Sequence, residues 1–320
     1  MKNVVTIGGG TGTFVVLTGL RRIPNVSLSA IVTSADDGGS TGRLRDSYGF
    51  LPPGDVRQAL VALAEDGSIL RDLFAYRFTK GDVAGHSLGN LFLTALADQS
   101  GGSVRALEEA SKILRIQGSV IPATEAPATL RARFADGVWI EGQSAVSEGG
   151  TTHGRIEEML LSEPLPLTKA AEEAISKADL IILGPGCLYS STIASLLADG
   201  TKEALKASPA KLVYIANLFS KSGETDDFTV SDHVAEVARY AGRAIDYVVI
   251  HSGDFTDDVL EWYAVEGEFP VIDDVVTQHA IRLPLASVHV VPAIPGDPIR
   301  RSLMRHDPHL VAEALRPLLQ

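Results

Sequence analysis

Three stretches of this chain bring together residue types that handle anions. The first is Gly8-Gly9-Gly10-Thr11-Gly12, set between the apolar run Lys2–Ile7 and an apolar segment beginning at Thr13. A glycine cluster at a strand-to-helix junction lets a ligand approach the backbone and aims helix N–H groups at an anion. Gly9, Gly10, Thr11 and Gly12 are therefore candidate ligand contacts. The second is Ser34 to Arg45, where adjacent carboxylates (Asp36, Asp37), small hydroxyls (Ser40, Thr41), three glycines and two arginines fall within twelve residues. Arg43 and Arg45 could grip phosphate oxygens, while Asp36 or Asp37 could hold Mg²⁺ or a ligand hydroxyl. The third is Gly184-Pro185-Gly186-Cys187-Leu188-Tyr189-Ser190-Ser191, which repeats the logic of strand, glycine turn and hydroxyl-rich helix start.

Further candidates flank these. Asp55 and Arg57 open a helix after Leu51-Pro52-Pro53-Gly54; Asp55 serves equally well as its cap or as a ligand residue. Gly85-His86-Ser87-Leu88-Gly89-Asn90 offers His86 and Asn90 as a second ligand edge. His86 and Ser87 make a poor nucleophile pair, because sequence neighbours rarely reach one another's hydrogen-bonding atoms. Asn217, Glu224 and Thr225 follow another apolar run, with donors and acceptors suited to a base or a sugar hydroxyl. Tyr263 could stack on a base or simply pack. Arg305 precedes the last helix, within reach of a phosphate, and Asp307 can cap that helix. Cys187 has no activating partner nearby and reads as a small packed thiol, and His153 as structural or exposed.

The elements that must position these residues alternate. Lys2–Ile7, Leu28–Thr33, Asp179–Leu183, Lys211–Ala216, Asp246–Ile250 and Ser287–Val291 read as strands; Thr13–Arg22, Ile69–Phe78, Leu91–Asp98, Ser103–Arg115, Thr168–Lys177 and Pro308–Leu319 read as helices. That rhythm predicts an α/β fold with a Rossmann-like, doubly wound, mainly parallel sheet, whose strand C-termini are where such sheets bind ligands. Ser34–Arg45 reads as a long polar loop at one such end. Asp136-Gly137, between Thr129–Phe134 and Val138–Ile140, signals a hairpin within an antiparallel insertion spanning about residues 117–165. The insertion is too short to own a large core, so residues 1–320 read as a single domain.

Two nucleotide fingerprints fail. A dinucleotide turn needs glycine where Thr13 stands and an acid where the second strand ends in Thr33-Ser34-Ala35. A P-loop needs a Gly-Lys-Ser/Thr that does not follow. Composition is ordinary globular, with 45% apolar and 21% charged residues, and the net charge of −12 argues against general nucleic-acid binding. One cysteine excludes a disulfide framework and suits a reducing compartment. No apolar run approaches the ~20 residues of a membrane span, so a cytoplasmic protein is expected.

In this order and combination, Gly8–Gly12, Ala35–Arg45, Pro52–Arg57, Gly85–Asn90, Gly184–Ser191, Gly223–Thr225 and Arg305–Asp307 resemble the YvcK branch of the CofD-like family, across essentially the whole chain. The resemblance implies a Rossmann-like core, binding of nucleotide sugars of the UDP-N-acetylglucosamine type, and a regulatory role in gluconeogenic growth and cell shape rather than an established turnover. It leaves room for homo-oligomers and regulatory protein partners. The enzymatic branch instead transfers a 2-phospholactyl group from a guanosine diphosphate donor to a deazaflavin; for that activity Asp36, Asp37 and Asp55 would be the catalytic set, with Mg²⁺ on Asp36 and Asp37. Carried over, the glycine turn and Gly184–Gly186 would contact the nucleotide, and Tyr263 and Arg305 fall where the YvcK branch holds its UDP-sugar. Cys187, Ala194-Ser195 and Ser220-Lys221-Ser222 depart from the family pattern and touch ligand detail.

Overall fold

A computed structural model describes residues 1–37, 39–288 and 303–320, with the side chains of Arg45 and Asp46 outside that description. The chain runs β1 (Lys2–Ile7), α1 (Gly10–Leu20), β2 (Val26–Val32), α2 (Gly39–Tyr48), α3 (Pro53–Leu63), α4 (Ile69–Ala75), α5 (Leu88–Ser100), α6 (Ser103–Leu114) and β3 (Ser119–Pro122). An interruption follows, comprising β4 (Leu130–Phe134), β5 (Trp139–Glu141), α7 (Gln143–His153) and β6 (Ile156–Leu161). The alternation resumes with α8 (Lys169–Ser176), β7 (Leu180–Leu183), a π-helical turn at Leu188–Ile193, α9 (Thr201–Ala207), β8 (Lys211–Ile215), α10 (Val230–Ala241), β9 (Tyr247–His251), α11 (Asp257–Ala264) and β10 (Ala280–Leu283). A short ribbon, β11 (Ala286–Val288) with β12 (Met304–His306), precedes α12 (Pro308–Leu315).

Seven strands form one parallel sheet in the order β10-β9-β8-β7-β1-β2-β3. Its central strands are near-continuous apolar runs because helices cover both faces. Side-chain alternation then divides the core. Val5, Ile7, Ile181 and Leu183 point to the face packed by α8, α9, α10 and the interruption, where Ile175, Leu205, Val237 and Phe134 lie. Val4, Leu180 and Ile182 point to the opposite face, with Val16, Leu60, Leu107 and Val311 from α1, α3, α6 and α12. Side-chain oxygens cap several of these helices: Ser87 for α5, Thr168 for α8, Asp307 for α12, and a reciprocal Thr229–Asp232 capping box for α10.

The strand order places β1 beside β7. The chain winds outward from β1 through β2 and β3 in one direction, and from β7 through β10 in the other. The crevice between β1 and β7, at their carboxyl ends, is thus the topological switch point where such sheets hold ligands.

Three expectations require correction. Ser34–Arg45 is not all loop: α2 begins at Gly39, anchored by the buried Leu44 despite its glycines and hydroxyls. The interruption starts later than residue 117, because Ser119–Pro122 joins the main sheet, parallel to β2. Within it the expected Asp136-Gly137 hairpin joins β4 to β5, and β6 completes an antiparallel sheet β5-β4-β6 with α7 laid on it. The ribbon strand begins at Ala286, and residues 289–291 of the predicted Ser287–Val291 strand lie outside the described residues.

Candidate functional site

The two glycine turns lie against one another at the switch point. Gly8, at φ +155°, donates its N–H to Ile31 O at 3.1 Å, tying the turn to β2. Gly9 N–H reaches Ser191 Oγ at 3.2 Å and Gly10 N–H reaches Asp55 Oδ1 at 2.7 Å. A Cβ on Gly12 would overlap the Pro185 carbonyl, and one on Gly186 would press on Ser191. Glycine is required at position 12 because two backbones meet there. The first turn of α1, with Thr11 and Gly12, supplies helix N-terminal N–H groups and the positive end of the helix dipole.

The acidic residues divide. Asp37 accepts from Gln143 N at 2.7 Å, Ser144 N at 2.9 Å and Ser144 Oγ at 2.9 Å, so its carboxylate caps α7. Asp36 instead faces Asp55: a Cβ on Gly54 would collide with Asp36 Oδ2 and Thr41 Oγ1, which fixes both beside the start of α3. Asp55 is not the α3 cap that one sequence reading allowed. Pro52 occupies that position, and the Asp55 side chain points to Gly10. Burial and the Asp36 charge push the Asp55 carboxyl up to about 7, against the pull of Gly10 N–H and Arg57.

A polar chain continues across α2, α3 and α5. Arg57 Nε donates to Asn90 Oδ1 at 2.9 Å, Asn90 Nδ2 donates to Ser40 Oγ at 3.2 Å, and Ser40 Oγ lies 2.9 Å from His86 Nδ1. Burial, then Arg43 and Arg77, hold the His86 imidazole below its ordinary value. Ser87 takes no part, since its hydroxyl accepts from Asn90 N to cap α5.

On the β7 side, Asn217 Nδ2 donates to Gly186 O at 2.7 Å while its Oδ1 accepts from Tyr214 OH at 2.8 Å. Both ends of the amide are therefore engaged in holding the second glycine turn. Glu224 is buried; Oε1 accepts from Ser147 Oγ at 2.7 Å and Ser190 Oγ at 3.3 Å. Burial pushes this carboxyl up, against the pull of Ser147, Lys221 and Ser190. Thr225 Oγ1 accepts from Lys221 N at 2.8 Å, which shapes the same turn. Cys187 is not the packed thiol expected: the residue is exposed.

Tyr263 belongs to a small apolar cluster with Leu218, Phe219, Val259 and Met304. Tyr263 is buried, stacked on Phe219 with ring centroids 3.8 Å apart and an 11° interplanar angle, and its hydroxyl accepts from Met304 N at 2.9 Å. The ring thereby holds β12, the strand that carries Arg305. The Arg45 side chain lies outside the described residues.

The residues brought together are thus Gly9, Gly10, Thr11, Gly12, Asp36, Asp55, Gly184, Pro185 and Gly186, bordered by Ser40, His86, Asn90 and Arg57 on one side and Ser190, Asn217 and Glu224 on the other. Sequence reasoning placed Ser191 in the second glycine stretch without a role and missed Tyr214, Gln143 and Ser147. Gln143 Nε2 reaches Ser190 O at 2.7 Å, so α7 walls the site although no motif marks it. Gly150 of α7 lies directly on the Gly223 backbone.

As for metal, Asp36 and Asp55 are hard oxygen donors of the kind Mg²⁺ takes, one or two carboxylates with the rest supplied by water and phosphate. Asp37, spent on α7, does not join them. Among the described residues no group of three or more His, Cys, Asp or Glu converges to cage an ion, so the fit is to a phosphate-borne cation.

Comparison with known proteins bears on the same region. The family model of 2-phospho-L-lactate transferase CofD matches residues 4–290. The gluconeogenesis factor of Bacillus subtilis is 40% identical over 323 residues, covering 99% of this chain and 98% of its own. That of Halalkalibacterium halodurans is 41% identical over 319 residues, covering 98% and 95%. A crystal structure of a UPF0052 family member from Bacillus halodurans superposes with a TM-score of 0.89 at 38% identity, covering 99% of this chain and all of that one.

Proposed function

Because this chain belongs to the CofD family, we propose that the paired glycine turns bind the diphosphate of a nucleotide sugar of the UDP-N-acetylglucosamine type. In this reading the protein is a ligand-responsive regulator needed for growth on gluconeogenic carbon sources and for cell shape. The observation that carries it is the contact of Gly12 with Pro185 at the switch point. It brings two strand-to-helix turns together, where a diphosphate would meet N–H groups of both. Asn217 holds the second turn in place, and Ser190, Glu224 and Thr225 offer hydroxyl and carboxyl groups beyond it for a sugar. The name gluconeogenesis factor, borne by relatives at about 40% identity over nearly their whole length, supports the metabolic role. Titration calorimetry with UDP-N-acetylglucosamine tests the ligand: saturable heat is expected, and none at millimolar ligand would sink the reading.

The Asp36–Asp55 pair favours a second reading, a Mg²⁺-dependent transferase of the CofD kind. Mg²⁺ between these carboxylates and a diphosphate would neutralise charge developing on the transferred group. The protein's own part would be to orient that diphosphate on the glycine turns and keep Arg57 near it. Incubation with a deazaflavin and a lactyl diphosphoguanosine donor decides this, since absence of a phospholactyl product rejects it.

A further inference from the structure

The polar chain through α2, α3 and α5 does more than line a phosphate site. Asn90 has its amide orientation fixed, because Arg57 Nε can only donate and therefore meets Oδ1. The Asn90 Nδ2–H then points at Ser40 Oγ, which accepts it. In the tautomer with the ring proton on Nε2, the Ser40 hydroxyl donates to His86 Nδ1, 2.9 Å away. A hydroxyl donating to a neutral imidazole, with an amide N–H aimed at its oxygen, is the arrangement of an activated nucleophile. The Asn90 N–H would stabilise charge on Oγ as the proton leaves, and Arg57 polarises that amide. Ser40 is buried while His86 is only half-buried, so the imidazole can pass a proton outward.

We propose that Ser40 is a nucleophile and His86 its general base, acting on phosphorus electrophiles at this site. The natural electrophile would be the phosphoric anhydride of a nucleoside diphosphate, an identification that rests on the nucleotide reading above. In the step, Ser40 Oγ forms a bond to the terminal phosphorus and the anhydride P–O bond breaks. The electron pair leaves with the nucleoside monophosphate, and the Oγ proton moves to His86 Nδ1. The imidazolium then releases a proton to water, leaving a phosphoserine. Ser40 directly precedes Thr41, which lies with Asp36 against Gly54 at the edge of the Gly10–Asp55 contact.

The charged groups acting on His86 are Arg43 of α2 and Arg77 beyond α4. Both disfavour the imidazolium in the free protein. A phosphate lying between them would offset their field, so the base strengthens when the anion arrives.

Fluorophosphonate labelling of the full chain tests the pair without assuming any natural ligand, since fluoride leaves as Ser40 Oγ attacks phosphorus. Peptide mass spectrometry should find the adduct on Ser40 and lose it in Ser40→Ala. The rate in His86→Ala should fall by about 10²-fold or more. In the unmodified protein the labelling rate should rise with pH through a single ionisation below the ordinary histidine range and then level off. Absence of label on Ser40, an unchanged rate in His86→Ala, or a rate that climbs with hydroxide without a plateau would each overturn the proposal; the last needs no variant to fold. Incubation with UDP should then give phosphoserine at Ser40. If UDP binds by calorimetry and fluorophosphonate leaves Ser40 unlabelled, the pair is refuted and the nucleotide reading stands. If Ser40 labels while UDP gives no heat, the converse holds.

Discussion

Gly12 and Pro185 are 173 positions apart in sequence, yet the α carbon of one lies against the carbonyl of the other with no room for a methyl group. This contact joins the first turn of α1 to the turn after β7 and places two sequence-distant motifs on the one surface proposed for the ligand. Gly12→Ala should force the turns apart, costing about 1–3 kcal/mol as overpacking does. Calorimetric affinity for UDP-N-acetylglucosamine should fall at least tenfold. Thermal unfolding alongside the titration checks both, and an alanine variant with native melting and affinity would refute the shared surface.

Asp55 makes the protein's stability depend on pH in an unusual direction for a carboxylate. Its folded value, about 7, lies above the unfolded 3.8, because burial and Asp36 oppose ionisation. The folded state therefore binds the proton more tightly. The stability this confers is complete below about pH 4 and is lost as pH rises through 7. Asp55→Asn keeps an acceptor for Gly10 N–H and removes the charge. It should be more stable than the parent at pH 8, by on the order of 2–4 kcal/mol, with the gap closing towards pH 4. Urea denaturation at several pH values measures this, and a gap that widens on acidification would refute it. Mg²⁺ should stabilise the parent selectively at pH 8.

Much of the fold was legible because its signals are local and periodic. Lys2–Ile7, Asp179–Leu183 and Lys211–Ala216 are apolar runs that only a sheet covered on both faces accommodates, and Asp136-Gly137 can close little but a tight hairpin. The candidate site was legible as glycines and hydroxyls at strand ends, since those residue types are scarce elsewhere in apolar segments. What sequence could not supply is pairing. Asp36 and Asp37 are equivalent on paper; only the placement of α7 spends Asp37 on a helix start and leaves Asp36 beside Asp55. His86 and Ser87 are neighbours in the chain, but the bond forms between His86 and Ser40, 46 positions away. The helix α2 was hidden because Gly39, Ser40, Thr41 and Gly42 have weak helix propensity, overridden by burial of Leu44.

Asn217 reads as a ligand contact in sequence, and the structure turns it into a brace. Gly186 O, which can only accept, fixes the amide so that Nδ2 meets it, and Oδ1 is left to accept from Tyr214 OH. Tyr214→Phe should cost about 0.5–1.5 kcal/mol of stability and weaken UDP-sugar binding several-fold by loosening the second turn. Asn217→Ala, which leaves both partners unmet, should cost more on each count. The ordering of the two variants in paired melting and calorimetry is the check; a Tyr214→Phe protein with lower stability but undiminished affinity would show that the brace does not reach the ligand surface.

Asp37 offers the sharpest test of how the site is walled. Its carboxylate receives both the N–H groups and the hydroxyl at the start of α7, whose Gln143 and Ser147 hold Ser190 and Glu224 in turn. Removing the carboxylate with Asp37→Ala should cost about 1 kcal/mol, as loss of a helix cap does. The cost should appear locally, because α7 packs through Gly149 on Phe134 and Ile140 of the small antiparallel sheet and through Gly150 on Gly223. Hydrogen exchange should therefore quicken in residues 143–153 and at 223–225 while β1, β7 and β8 keep their protection. If Asp37 were instead a metal ligand, the variant would lose the Mg²⁺ stabilisation predicted at pH 8. A variant that keeps that stabilisation while α7 exchanges faster assigns Asp37 to the wall and leaves the cation to Asp36 and Asp55.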